Sequence, residues 1–517
     1  MKRFFVIVLA LTVSCALWAQ PSKEYLKANL ERYAGIYHAY EAPEGNGVTR
    51  PEGYEPFYIS HYGRHGCRWH ADKNVYNHVL EMLQLADEQR CLTRMGKKFY
   101  KDMQEVVEDA RGRWGELTPK GARTHKGIAT RMYESYPEVF HPGARIDSRA
   151  TVFARCILSM SAFDESLKEH ESKLNITRES AERNMWYMTC RGGSDYPEEV
   201  DRQCDSLQKA WISAHRFMKA MFKDRGECLN GKIKSEEAFM YNCYEMGCMM
   251  QCVDYLDKDL FYIFSDEELY DLWRYMNVWC YLRMGPAERL GDGRLRGSVA
   301  LLEDIVGRAD EIVSSLVTSR SFHASHKTAT AKESVTTKES MTTKGSVTTK
   351  GSVTTKGSVT TKGSVTTKGY QTNKGKRLEK FPGEDKIRKN NKTDKVDKND
   401  RSDKTISAHL RFGHDSQIIP LVALIGIKGG STRVAPDQVT ENWNVSYVSP
   451  MGTNIQFIFF KPISNKTKVG KLTTDDIKVR ILWNEHDAEL PLEGAPFYKW
   501  TTLRQYLLER CDTNFLN

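Results

Sequence analysis

Apolar positions along this 517-residue chain follow two rhythms. From residue 20 to 165, and again from 406 to 517, strand-like runs alternate with segments whose apolar residues recur at helical spacing. Phe57-Tyr58-Ile59-Ser60-His61 reads as a strand, and so do the stretches Pro450 to Phe457 and Val479 to Glu485. Thr118 followed by Pro119 marks a helix start, because proline fits the first helical position. The apolar run Ile418 to Ile427 reads as another helix. Between residues 166 and 320 the pattern is mostly helical. Glu236 to Leu256 and Asp266 to Leu282 are long and rich in methionine and aromatic residues, and Arg308 to Val317 reads as the end of a further helix. This order predicts an α/β core interrupted by a helical domain.

Residues 321–405 break both rhythms. Ser334 to Glu339 and Ser340 to Gly345 are followed by four copies of SVTTKG, a decayed copy from Tyr370 to Gly375, and a Lys/Asn/Asp-rich run. One Val or Met per repeat cannot offset the entropy of ordering the chain, so a disordered low-complexity insert is expected. The insert also accounts for the net charge of +9. It holds 20 Lys and Arg against 9 Asp and Glu, which leaves 56 against 58 elsewhere. The globular part is nearly neutral, and basicity gives no reason to expect a nucleic-acid partner.

The first residues read as a signal peptide: Lys2 and Arg3, an apolar core from Phe4 to Val13, and a cleavage site after Ala19. Cys15 after Ser14 offers a lipid-anchor reading, which Thr12 in place of a leucine disfavours. No later stretch is long and apolar enough to span a membrane. A periplasmic or secreted protein is expected. Loss of Cys15 would leave 11 of the 12 cysteines, an odd number that cannot pair completely within one chain. Cys248 and Cys252, four apart on an apparent helix, read as core packing or a disulfide rather than a metal site.

The chemistry concentrates in Tyr62-Gly63-Arg64-His65-Gly66-Cys67-Arg68, directly after the first strand. Guanidinium groups grip phosphate oxygens with a fixed fork of donors. A neutral imidazole can attack phosphorus and carry a phosphoryl group. Gly66 permits a tight turn and close backbone approach to an anion. The run resembles the Arg-His-Gly-x-Arg motif of the histidine phosphatase superfamily. Three later segments extend the resemblance to the branch that holds acid phosphatases and phytases. Leu117-Thr118-Pro119-Lys120-Gly121, with Arg131 and Tyr133, is similar to a structural helix of that branch. Ser148-Arg149 and Arg155 are similar to its mid-chain arginine segment, and Gly413-His414-Asp415 to its late His-Asp motif.

The resemblance implies a phosphoglycerate-mutase-like three-layer α/β core with an inserted helical domain, and a catalytic pair, His65 and Asp415. It implies phosphate binding by Arg64, Arg68, Arg155 and His414, and leaves Arg149 as a brace or a solvated side chain. It further implies a small phosphorylated substrate, hydrolysed through phosphohistidine with no cofactor, because the arginines supply the positive charge. Bacterial members grouped with inositol-polyphosphate phosphatases are the nearest in pattern. Trp69-His70 stand where many members have proline nearby, and His414-Asp415-Ser416 where the inositol-polyphosphate group often has His-Ala-Glu. Both departures bear on substrate choice. Rival readings are a phosphate-ligand-binding protein without turnover, a phosphomutase, and a surface protein centred on the repeat.

Overall fold

A computed structural model of the protein describes residues 23–44, 49–190, 198–224, 229, 231–329, 405–463 and 472–512, without the side chains of 319–329. The signal-peptide expectation lies outside these residues, as does that of a disordered insert from residue 330 on. The chain divides into two units, Met1–Ser325 with Thr405–Asn517, and His326–Lys404. The first holds everything that builds the site.

One mixed sheet of eight strands organises that unit, in the order β3-β2-β4-β1-β5-β6-β7, with β8 also on β6. The strands are β1 (Tyr54–Arg64), β2 (Arg145–Ala150), β3 (Asn175–Ser180), β4 (Ile406–Gly413), β5 (Asn454–Pro462), β6 (Lys478–Trp483), β7 (His486–Asp487) and β8 (Tyr498–Lys499). β1 runs parallel to β4 and antiparallel to β5. Its last seven residues are all buried, as a central strand covered on both faces requires.

Alternation along the strands sorts side chains into two layers. Ile59, Ile458 and Phe460 face a cluster shared with Ile128, Met132, Phe163 and Leu167. These last four lie on α3 (Pro119–Ser135) and α4 (Ala154–His170). The neighbouring residues Tyr58, Phe457 and Phe459 face the opposite cluster. That cluster takes in α9 (Asp415–Ile425) and α10 (Trp500–Cys511), and continues without a break into the helical segment. Its helices include α5 (Glu198–Trp211), α6 (Glu236–Met249), α7 (Asp266–Met284) and α8 (Asp292–Ala329). Chain order is completed by α1 (Lys73–Glu88) and α2 (Arg94–Ala110). This is the expected α/β architecture with helices on both faces of the sheet.

Three local differences have physical causes. β3 lies inside the stretch read as helical. It is an edge strand with mostly exposed side chains, so it carries no apolar alternation to read. The helix expected over Glu236 to Leu256 gives way after Met249 to a 3-10 segment, where Val253 leaves helical geometry at φ −124°, ψ 48°. The helix ending was expected near Val317, and α8 runs on to Ala329. Cys248 and Cys252 are buried free thiols, whereas Cys91 is disulfide-bonded.

β4 departs from the apolar rule on the face opposite Leu410 and Phe412. Arg411 is buried there. Its guanidinium donates twice to one Asp304 oxygen, at 2.9 and 2.7 Å, and to Ser60 Oγ at 3.0 Å. The pair ties α8 to the centre of the sheet. Removing one partner would leave a buried charge uncompensated. Asp304→Ala should therefore lower stability by about 3–5 kcal/mol, read as a shift in the urea unfolding midpoint at unchanged slope.

Two imidazoles lie within the sheet layer against α3. His61 and His125 are buried, and neither nitrogen of His125 has a hydrogen-bond partner of good geometry. Burial holds both pKa values down at about 3, against about 6.5 in an unfolded chain. The unfolded state therefore binds more protons below about pH 6.5, and stability present above that pH is lost as pH falls towards 3. Each group accounts for about 2–3 kcal/mol at pH 4.5 by this linkage. His125→Leu should narrow the gap in thermal midpoint between pH 7.5 and pH 4.5 by a few degrees. An unchanged gap would show that this imidazole does not carry the acid sensitivity.

Candidate active site

The site forms where two parallel strands end side by side. Arg64 pairs with Gly413 at the last register position of β1 and β4. His65 N–H donates to the Gly413 carbonyl at 2.9 Å, so both chains leave the sheet together. His65 and His414 follow directly, with ring centroids 5.6 Å apart and planes at 71°. Ligand sites in open α/β sheets gather at such carboxyl ends.

The second motif supports the first by backbone pairing. Thr118 N–H donates to the Cys67 carbonyl at 2.9 Å, and Trp69 N–H to the Glu116 carbonyl at 3.0 Å. Thr118 Oγ caps α3 by accepting from Gly121 N–H. The requirement at Gly66 proves to be close packing. A β-carbon there would lie 2.6 Å from the Gly121 carbonyl oxygen, and one on Gly121 would lie 2.3 Å from that of Cys67. Two glycines thus let the turn seat on the first turn of the helix.

The structure brings His65, Arg64, Arg68, Arg155, His414 and Asp415 into one cluster. Arg64 is fully buried. It donates to the Ile36 carbonyl at 2.9 Å, to the Ser449 carbonyl at 2.6 Å and to Asp415 Oδ2 at 2.7 Å. Its Nε–H has no partner. The Nε–H groups of Arg64, Arg68 and Arg155 are all buried and without a partner. Three unsatisfied guanidinium donors at one place form an anion receptor.

Burial holds the His65 pKa well below the usual imidazole value, and Arg64, Arg68 and Arg155 press it down further. The ring is therefore neutral. Nδ1 lies 2.9 Å from the Gly66 carbonyl, which can only accept, so Nδ1 carries the proton and Nε2 the lone pair. His414 is also neutral, held down to about 4 by burial and then by Arg155. Its Nδ1 faces Arg155 Nη2 at 3.4 Å and its Nε2 faces Thr151 Oγ at 3.1 Å. Burial raises the Asp415 carboxyl, but the positive charges of Arg64 and Arg68 outweigh it, so its pKa lies below the ordinary carboxylate value.

Arg149 stands apart. It forms a bidentate pair with Asp147 at 3.0 and 2.8 Å and donates to Tyr187, bracing the polar edge of β2. Sequence reading missed Phe153, which is exposed and sets its ring edge-on to His414 at 4.9 Å, below the Arg155 guanidinium. It also missed the Ile36 and Ser449 carbonyls, which no side-chain pattern could reveal. Among the described residues, no group of three or more His, Cys, Asp or Glu could hold a metal ion. Among the same residues, no helix is long and apolar enough to cross a membrane.

Comparison with known proteins gives a consistent picture. Residues 361–484 match the profile of the family described as the histidine phosphatase superfamily (branch 2). That stretch contains β4, His414 and Asp415. No curated protein matches the chain. The multiple inositol polyphosphate phosphatase of Bifidobacterium longum, solved with inositol hexasulfate, is 14% identical. It covers 92% of this chain and 97% of its own, with a TM-score of 0.61. The phytase from D. castellii is 12% identical, covers 93% of this chain and 86% of its own, and has a TM-score of 0.58. These likenesses establish the fold. The family match covers the His-Asp segment, and the Arg-His-Gly turn is hydrogen-bonded to that segment.

Proposed function

We propose that this chain is an exported phosphomonoesterase that works through a phosphohistidine intermediate. One observation carries the reading. A buried imidazole with its Nε2 lone pair free is ringed by three guanidinium groups whose Nε–H donors have no partner. Support for export comes from the first 19 residues of the sequence. Inositol phosphates such as phytate enter as candidate substrates because two proteins of this fold are named for them.

In the first step His65 Nε2 attacks phosphorus, and the bond to the leaving oxygen breaks. Arg64, Arg68 and Arg155 neutralise the phosphoryl oxygens, the main source of rate in phosphoryl transfer. His414 joins them once it exchanges its Thr151 contact for a phosphate oxygen. Asp415 gives its proton to the departing alkoxide. Its pairing with Arg64 favours the anion in the free protein, and an arriving phosphate opposes that effect by supplying negative charge. In the second step a water attacks phosphohistidine and passes its proton to Asp415, which releases phosphate and restores His65. An acid that must be protonated makes turnover fall as pH rises.

His65→Ala should reduce phosphate release by at least about a thousandfold while circular dichroism stays that of the wild type. Substantial residual hydrolysis would reject the phosphohistidine route. Asp415→Asn should slow alkyl phosphates by about a hundredfold or more and aryl phosphates far less, because an aryl oxide departs without protonation. Equal losses on both would assign Asp415 to binding instead.

A further inference from the structure

Trp69-His70, where relatives often carry proline nearby, leads to a polar relay beside the phosphate site. His70 Nδ1 is held by the Asp72 backbone, 3.1 Å from its carbonyl oxygen and 3.2 Å from its N–H. His70 Nε2 lies 3.1 Å from Tyr37 Oη, and Tyr37 Oη donates to Glu245 Oε1 at 2.9 Å. The relay ends on a carboxylate with 16% of its side chain exposed. No hydrogen bond engages its other oxygen among the described residues.

The relay borders the space next to the reacting centre. The Arg68 guanidinium lies over the Tyr37 ring, 5.5 Å from its centroid. Cys280 on α7 is buried, and burial raises its thiol, with Asp415 and then Glu245 pushing it further up. A phosphate held by Arg68 at His65 therefore stands beside Tyr37. Its leaving group must reach Asp415, which acts on the same buried Cys280 thiol as Glu245 does.

We propose that Glu245, positioned by Tyr37 and His70, is the specificity-determining residue of a leaving-group subsite that takes hydroxyl-rich monophosphates. This rests on the phosphatase reading and narrows it. A free carboxylate oxygen accepts hydrogen bonds from a polyol or sugar hydroxyl, and such charge-assisted bonds are strong. The same negative charge repels a second phosphate on the substrate, which disfavours heavily phosphorylated rings.

The test compares glucose 6-phosphate, phytate and 4-nitrophenyl phosphate with the wild type, Glu245→Gln and Tyr37→Phe in the full chain. The wild type should have a higher kcat/KM for glucose 6-phosphate than for phytate. Glu245→Gln should lower the ratio of glucose 6-phosphate to 4-nitrophenyl phosphate kcat/KM about tenfold, mainly through KM, and raise phytate turnover. Tyr37→Phe frees the carboxylate from its anchor and should move the same ratio in the same direction by less. Competition by inorganic phosphate reads the arginine cluster separately and reports whether each variant keeps its pocket. A wild-type preference for phytate would overturn the proposal. So would unchanged ratios in variants that still bind phosphate. A wild type that hydrolyses none of the three esters would overturn the phosphatase reading itself.

Discussion

Everything at this site depends on keeping three guanidinium groups together in a place with little water. Arg64, Arg68 and Arg155 repel one another, and burial alone already lowers the pKa of Arg64 and Arg155. The protein supplies one carboxylate, Asp415, and two backbone carbonyls to Arg64, then leaves the Nε–H groups without acceptors. A buried donor without a partner costs about 1–3 kcal/mol. A phosphate relieves that cost, and a transition state with more charge on its equatorial oxygens relieves it further.

The fold sustains this arrangement by covalent and hydrogen-bonded geometry rather than by attraction between the charges. Arg64 ends β1, His414 follows the end of β4, and the ladder continues one residue further through His65. Arg155 begins a helix whose predecessor strand, β2, is the other neighbour of β4. Three segments distant in sequence are thus brought to one edge by parallel pairing. The contact between Gly66 and Gly121 then sets the height of the nucleophile's turn above α3.

The same burial has opposite consequences for chemistry and for stability. In the proposed mechanism a neutral His65 serves attack on phosphorus, and a protonated Asp415 serves departure of the leaving group. Acid favours the second requirement. Acid also works against the buried imidazoles, since His61 and His125 stay neutral only at a growing free-energy cost as pH falls. The working range is therefore bounded below by the fold and above by the donor.

Much of the site was legible in the sequence because its chemistry needs particular residue types at short spacing. Arg64, His65 and Arg68 share one turn, Arg155 follows a strand end, and His414-Asp415 follow another. Strand-like runs likewise announced β1, β5 and β6, which are buried along most of their length. β3 was hidden because an exposed edge strand needs no such pattern. What only the tertiary structure decided are contacts between residues far apart in the chain. These include Arg64 on the Ile36 and Ser449 carbonyls, Phe153 against His414, Arg411 on Asp304, and the relay from His70 through Tyr37 to Glu245. Local sequence determines which backbone a segment prefers and which chemistry it carries. The partner of a buried polar group is chosen by whichever donor or acceptor the packed elements bring within about 3 Å, and no spacing rule along the chain encodes that distance.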